Sequence, residues 1–358
     1  DTLKYGQNRL YTFTNAVTVF PSLSNEYDGS QKIPAWYGML ETPLFFDNLR
    51  LITGIRYERT DMHSLSLEKQ PQGGKIDASE WLPAASLIYT LTPAMNLRAA
   101  YSRTLARPTL REIASFRSLD FAASKYYYGN ANLRYTKITN YDLRWEWFAR
   151  PGEVLAASVF YKKFIDPIEI AFTKDNYDRY PVNSSEAKNY GLELEFKKRL
   201  DDISSHLSNF NIGGNLTLVH SAEKIPESEL MAMRNLDPKV SDTRPMAYQS
   251  PYIINLNVGY TNHKSGTDVA LLYNVFGRRF YLNAVGAAPD IYEMPRHQLD
   301  MTFSQNVFHG VTLKLGARNI LDSHFETDYY YTGTGARTVY QKYDLGRFFS
   351  FGVSYKIS

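Results

Sequence analysis

Phe348-Phe349-Ser350-Phe351-Gly352-Val353-Ser354-Tyr355-Lys356-Ile357 is the stretch from which the rest of the chain can be read. Phe349, Phe351, Val353, Tyr355 and Ile357 fall on one face of an extended chain, and Phe348, Ser350, Gly352, Ser354 and Lys356 on the other. A period of two marks a strand with one dry face and one wet face. The pattern recurs upstream. Leu49, Leu51, Thr53, Ile55 and Tyr57 oppose Arg50, Gly54, Arg56 and Glu58. Tyr141, Leu143, Trp145 and Trp147 oppose Asp142, Arg144 and Glu146, and Tyr190, Leu192, Leu194 and Phe196 oppose Gly191, Glu193, Glu195 and Lys197.

Thirteen segments alternate in this way: 34–45, 48–61, 80–91, 95–107, 138–150, 153–165, 187–200, 208–221, 252–262, 267–281, 296–306, 310–321 and 347–357. Most run about 10–14 residues, against ~5–6 for a mean soluble strand and ~9–11 for a tilted strand that crosses a bilayer. A single strand of this kind fits a soluble sandwich or a membrane barrel. The connections separate the two. Turns at 42–48, 92–94, 150–152, 201–207, 262–266 and 306–310 are short; loops at 62–79, 108–137, 166–186, 222–251, 282–295 and 322–346 are long. Strict alternation of short and long connections is the order of an outer-membrane barrel, with periplasmic turns at one end and extracellular loops at the other. Loops of ~15–30 residues would count against a compact soluble domain.

Composition agrees. The chain has 358 residues, 15% of them aromatic with 28 Tyr and 20 Phe, yet its mean hydropathy is −0.39. No window approaches the ~18 apolar residues of a spanning helix, which excludes a helical membrane protein but not a barrel. With no cysteine there is no disulfide scaffold, thiolate metal site or cysteine nucleophile. The 40 basic against 37 acidic residues argue against a dedicated nucleic-acid binder. Bacterial single-chain barrels have even strand numbers. Thirteen is odd, and residues 1–33 add at most one strand, near Leu10-Tyr11-Thr12-Phe13-Thr14. The expectation is therefore an outer loop or the end of a preceding strand over 1–33, and the C-terminal part of a larger barrel over 34–358.

Several stretches resemble one family. They include Ala35-Trp36-Tyr37-Gly38-Met39-Leu40-Glu41, Ala100-Tyr101-Ser102-Arg103-Thr104-Leu105-Ala106-Arg107-Pro108, Gly129-Asn130-Ala131-Asn132-Leu133, Asn189-Tyr190-Gly191-Leu192-Glu193-Leu194-Glu195, Gln249-Ser250-Pro251-Tyr252 and Arg318-Asn319-Ile320-Leu321-Asp322. In order and spacing they resemble the C-terminal barrel of TonB-dependent outer-membrane receptors, particularly those of Bacteroidota. The resemblance implies an antiparallel barrel of twenty-two strands, thirteen of them in this chain, plugged by an N-terminal domain absent from it. It also implies energised uptake of a scarce ligand such as a siderophore, haem or oligosaccharide. The implied partners are outer-membrane lipid, the plug domain or the missing strands, TonB-ExbB-ExbD through the plug, and a surface lipoprotein. A porin-like or split-barrel subunit without active transport is the alternative. An outer-membrane enzyme would need a convergent acid/base set that the sequence does not offer, so neither catalytic residues nor a cofactor is expected.

Tyr126, Tyr127 and Tyr128, with Tyr329, Tyr330 and Tyr331, fall in long loops. Tyrosine presents a flat apolar face with a polar tip, suited to sugar rings or metal-chelate ligands; a membrane-interface girdle or loop packing is the competing reading. Tyr57, Trp145, Trp147, Tyr260 and Tyr355, near strand ends on apolar faces, read as girdle. The seven histidines, His63, His206, His220, His263, His297, His309 and His324, show no paired metal-ligand spacing. Asp201-Asp202 reads as a solvated turn, and residues 222–244 hold one short helix. The wet-face charges Arg56, Glu58, Arg144, Glu146, Glu193, Glu195 and Lys314 require a polar interior, where they pair with each other or meet a plug. The barrel reading predicts heat-modifiable gel mobility and a detergent requirement; a purified protein that stays soluble without detergent overturns it.

Overall fold

A computed structural model describes residues 2–5, 9–12, 26–66, 73–120, 125–172, 178–235, 238–282, 290–308, 310–330 and 335–356. All thirteen expected segments are strands: β1 (Ala35–Leu44), β2 (Phe46–Ser66), β3 (Gly73–Thr92), β4 (Met95–Ala106), β5 (Thr136–Trp147), β6 (Val154–Ile165), β7 (Glu186–Arg199), β8 (Phe210–Lys224), β9 (Tyr252–Asn262), β10 (Thr267–Phe276), β11 (Arg296–Phe308), β12 (Val311–Arg318) and β13 (Phe348–Tyr355). Each pairs antiparallel with the next in the chain, so sequence order is spatial order across one sheet. Among the described residues β1 and β13 are its two ends. A strand at Tyr27–Lys32 continues the line of β1 along the upper half of β2, separated from it by Ile33-Pro34. Pro34 has no N–H to donate, but its carbonyl still accepts from the Arg59 amide at 3.0 Å. Thr2–Tyr5 and Arg9–Thr12 pair in a separate hairpin; Phe13 and Thr14 lie outside the described residues.

The register puts the alternating apolar residues on one common face. Leu143 pairs with Ala99 and Val159, Val159 with Leu192, and Leu192 with Leu218. This face is studded with exposed apolar side chains, as a lipid-facing band requires. Aromatic rows border it. At the long-loop end Trp36, Tyr57 and Trp81 touch at 5.0–5.6 Å. Tyr101, Tyr141, Tyr161, Tyr190 and His220 then follow one another across five successive strands, β4 to β8. Toward the turns, Trp147, Phe196, Phe210 with Tyr260, and Tyr355 supply the second border.

The short connections are tight because their residues turn sharply. Gly152, Gly266 and Gly310 sit at positive φ in three of them, a region that L side chains enter at a cost. The long connections carry structure of their own. Strands 117–120, 125–128, 168–172 and 179–183 form one four-stranded sheet; 279–282, 291–293, 324–330 and 337–344 form another. The expected helix within 222–244 is Glu227–Arg234. One boundary differs. The loop expected at 62–79 is mostly strand, since β2 and β3 stay paired as far as Leu65 opposite Gly73. Its inner face is held by a small core of Met62, Ile76, Ile113 and Leu133. Ile113 reaches that core from a four-residue helix, Leu110–Ile113, fixed by a capping box between Thr109 and Glu112.

Gly310→Ala is expected to lower stability in detergent more than Gly152→Ala. Both incur the ~1–2 kcal/mol of a left-handed L residue. At Gly310 the new Cβ would also meet the Lys356 carbonyl at 2.6 Å and the Tyr355 ring, whereas at Gly152 it meets nothing within 4 Å. Thermal unfolding of the two variants reads the difference.

Candidate functional site

The wet face of the sheet is a ladder of polar side chains. Arg98 contacts Glu146 at 2.9 Å, and Arg144 bridges Glu146 at 2.8 Å and Glu195 at 2.7 Å, with Ser158 accepting a further bond at 3.1 Å. On β1 to β4 the same role falls to Arg50 with Glu41 and to Glu58 between Arg56 and Arg107. From β8 to β11 amides carry most of the ladder, which ends on a carboxylate. Asn274 donates to Asn255 at 2.6 Å, Asn255 to Asn215 at 2.8 Å, and Gln298 to Asp300 at 3.1 Å. Of the wet-face charges expected to pair, Glu58, Arg144, Glu146 and Glu195 do so between strands, Arg56 pairs with Glu58 along its own strand, and Glu193 and Lys314 are not in these ion pairs.

At the short-turn end Arg150 joins two turns through Glu153 at 2.5 Å and Asp201 at 2.8 Å. Arg199 holds Asp201 at 3.0 Å, and Lys198 holds Asp202, so this acidic pair is tied into ion pairs. Hydrogen bonding from Arg150 holds the Glu153 carboxyl down at about 2. A depressed carboxyl contributes stability above its ordinary value of 4.5 and loses it as the pH falls toward about 2. Glu153→Gln is therefore expected to flatten the acid limb of thermal stability across that window and to leave the neutral region less changed in slope.

The loop tyrosines fall into two clusters in different sheets. Tyr126, Tyr127 and Tyr128 occupy strand Lys125–Tyr128 opposite Arg117–Asp120. Arg117 covers the Tyr126 ring and Arg111 the Tyr127 ring, each at 4.6 Å. The Tyr126 amide donates to Asp178 at 3.0 Å. Burial pushes the Tyr127 hydroxyl up to about 12. Tyr329 and Tyr330 lie on strand His324–Tyr330. Tyr329 meets Tyr340 at 5.4 Å, and Arg278 lies 3.5 Å from the Tyr330 ring centre, with Tyr292 beside it at 5.6 Å. Tyr331 lies outside the described residues. Tyr126 is the member with an exposed ring at 37%; Tyr127, Tyr128, Tyr329 and Tyr330 are half-buried.

Among the histidines, His297 takes part in a 2.6 Å bond with the Tyr273 hydroxyl, His220 packs on Tyr190, and His324 meets Glu326 at 3.2 Å. His309 lies outside the described residues. Among those described, no group of three or more His, Cys, Asp and Glu is placed to hold a metal.

Sequence reasoning did not reach a buried charge cluster where two long connections meet. Arg244 contacts Glu169 at 3.0 Å and Glu229 at 2.7 Å, its side chain and that of Glu169 each 8% exposed. Glu223 lies beside them, 2% exposed, on β8 beyond the aromatic row at His220. These residues stand up to 75 positions apart, and no local pattern joins them. Arg244→Ala is expected to cost about 3–5 kcal/mol locally, because it leaves buried carboxylates uncompensated; faster proteolysis of the loops containing 169 and 229 checks it.

Compared with known proteins, the chain matches over residues 1–320 the family model described as TonB dependent receptor-like, beta-barrel. No curated protein sequence matches it. Its fold is similar to the ferric enterobactin receptor of Pseudomonas aeruginosa, at 14% identity and TM-score 0.55 over 91% of this chain and 54% of that one. It is also similar to the ferric yersiniabactin uptake receptor of Yersinia pestis, at 17% identity and TM-score 0.60 over 91% and 45%. The FrpB iron transporter of Neisseria meningitidis aligns at 11% identity and TM-score 0.60 over 93% and 45%. The chain thus spans about half the length of these solved proteins.

Proposed function

Because the chain belongs to the TonB dependent receptor-like β-barrel family, we propose that it is the wall and outer loops of an outer-membrane receptor for energised uptake of a scarce ligand. Its place is the Gram-negative outer membrane, where an apolar outer face and a polar inner face are both needed. The observation that carries the reading is the family match over residues 1–320, on a sheet with the lumen ladder of Arg144, Glu146 and Glu195 inside it. The ligand class is a siderophore, haem or an oligosaccharide, and the protein is a Bacteroidota-type receptor. An N-terminal plug sits against the lumen ladder and reports ligand occupancy to TonB-ExbB-ExbD. A surface lipoprotein assists capture.

Further strands complete the wall. Unpaired strand edges are too costly to leave in lipid. Among the described residues β1 and β13 offer such edges, with Met39 and Phe351 more than two-thirds exposed. The assignment of 1–33 to an outer loop or a preceding strand, and of 34–358 to the C-terminal barrel, belongs to the same proposal.

Uptake assays in cells test this reading, with labelled ferric siderophore, haem and oligosaccharide offered in turn. One of them is expected to enter in a manner abolished both by loss of TonB and by collapse of the proton-motive force. Entry that survives both treatments makes the protein a passive pore and overturns the proposal. Tyr126→Ala is expected to weaken binding roughly tenfold, the effect of about 1.4 kcal/mol from one aromatic anchor. Tyr127→Ala is expected instead to loosen its loop, since that ring, unlike the exposed one of Tyr126, is half-buried within it.

A further inference from the structure

On the outward face of β4 to β8, the side chains beyond the aromatic row of the long-loop end are basic. Two residues past that row stand Arg103, Thr139, Lys163, Lys188 and Ala222, one on each strand. The next outward row holds Lys137 on β5, Glu186 on β7 and Lys224 on β8. The two rows thus set five cations against one carboxylate. Lys163 and Lys188 share that carboxylate, Glu186, at 3.2 and 3.1 Å, yet keep 41% and 48% of their side-chain surface open. Lys137 reaches Glu80 at 2.6 Å. Among the described residues Arg103 and Lys224 enter no ion pair, and both are exposed. The strip is a patch and not a collar. On β2 the outward Arg59 is matched by Asp77 at 3.4 Å, and the outward face of β9 to β11 ends in Tyr252, Val275 and His297.

Directly below this strip the apolar band is hollowed. A shallow groove of about 510 Å³ runs between Leu87 and Leu143 over Ala85 and Ala99, with Tyr101 and Tyr141 at its upper end. Ala99 stands in register between Leu87 and Leu143, where it offers no long side chain to level the surface. From mid-membrane toward the loops the order is therefore hydrocarbon groove, phenol rings, cations. A lipid has the same order of acyl chain, interface and charged head group. Width selects the lipid. Arg103 on β4 and Lys188 on β7 are three strand spacings apart, roughly 14 Å at ~4.8 Å each. One phosphate cannot meet cations across that span, whereas a head group carrying several can.

We propose that this strip of β4 to β8 binds an outer-leaflet glycolipid bearing more than one phosphate, with its phosphates on Arg103, Lys137, Lys163 and Lys188 and an acyl chain in the groove at Ala99. The proposal rests on the outer-membrane placement of the chain, since the long-loop end faces the outer leaflet, and not on the transport reading or on any lumen residue. Phosphate oxygens are strong acceptors for lysine and above all for the fork of an arginine. Glu186 is the one group that opposes them. It occupies Lys163 and Lys188 and repels an arriving phosphate, so it limits the affinity of the site and does not build it.

The test uses the full-length protein in detergent, freed of cell lipid, and four probes: lipid A carrying two phosphates, the same lipid with both removed, phosphatidylglycerol and inorganic phosphate. Native mass spectrometry and thermal unfolding are expected to show saturable binding of the two-phosphate lipid, about tenfold tighter than the other two lipids and weaker in high salt. Arg103→Gln is expected to weaken it roughly fivefold, the loss of one cation at a membrane surface, and Lys163→Gln with Lys188→Gln roughly tenfold or more. Ala99→Phe, which fills the groove, is expected to weaken it several-fold. Glu186→Gln is expected to tighten it, which a merely structural ion pair would not do. Equal binding of the phosphate-free lipid or of phosphatidylglycerol, capture of inorganic phosphate alone, or binding unmoved by the glutamine variants overturns the proposal. Heat-modifiable gel mobility of the same samples separates two failures. Retained with no lipid bound, it removes the lipid site alone; lost, it removes the outer-membrane placement as well.

Discussion

Within a bilayer the backbone has no water to bond to, so every N–H and C=O on a spanning strand must find its partner on the next strand. The rest of the molecule follows from that demand. Neighbours in sequence become neighbours in space, because a short turn is the least costly way to supply the next strand. The six short turns share one end for the same reason, and everything long or irregular is displaced to the other. β2 and β3 show how strong the demand is: their pairing continues well past the apolar band, up to Leu65 opposite Gly73.

A wall with lipid outside and water inside inverts the usual arrangement of a globular protein. The alternation that would send charges outward sends them inward here. From β4 to β7 they neutralise one another through Arg98, Glu146, Arg144 and Glu195. From β8 to β11 amides take over at Asn215, Asn255, Asn274 and Gln298, the last of them donating to the Asp300 carboxylate. The inner surface therefore has a sector held by ion pairs beside one held largely by amides.

The strands were legible in the sequence because each has to present unlike faces to unlike solvents, and period two records that directly. The upper parts of β2 and β3 were not, since the inward positions beyond residue 61 include Ser64 and Ser66, which are buried yet polar and read as loop. The tyrosine clusters were legible as loop aromatics. Their partners were not: Arg111, Arg117 and Arg278 reach Tyr127, Tyr126 and Tyr330 through folding of the loops on themselves. The Glu169–Glu223–Arg244 cluster left no trace at all, because two separate connections deliver its members and each is an ordinary charge in its own segment.

The paired strands β2 and β3 have one more consequence. From the aromatic row at Tyr57 and Trp81 to the last pair, Leu65 and Gly73, is eight residues on each strand, or roughly 26 Å of ribbon at ~3.3 Å per residue. Braced more than halfway up by Met62, Ile76, Ile113 and Leu133, it is a stiff mast and not a floppy tether. A paired ribbon passes a push along its length, so a load taken at Leu65 and Gly73 is felt at the aromatic row and not absorbed on the way.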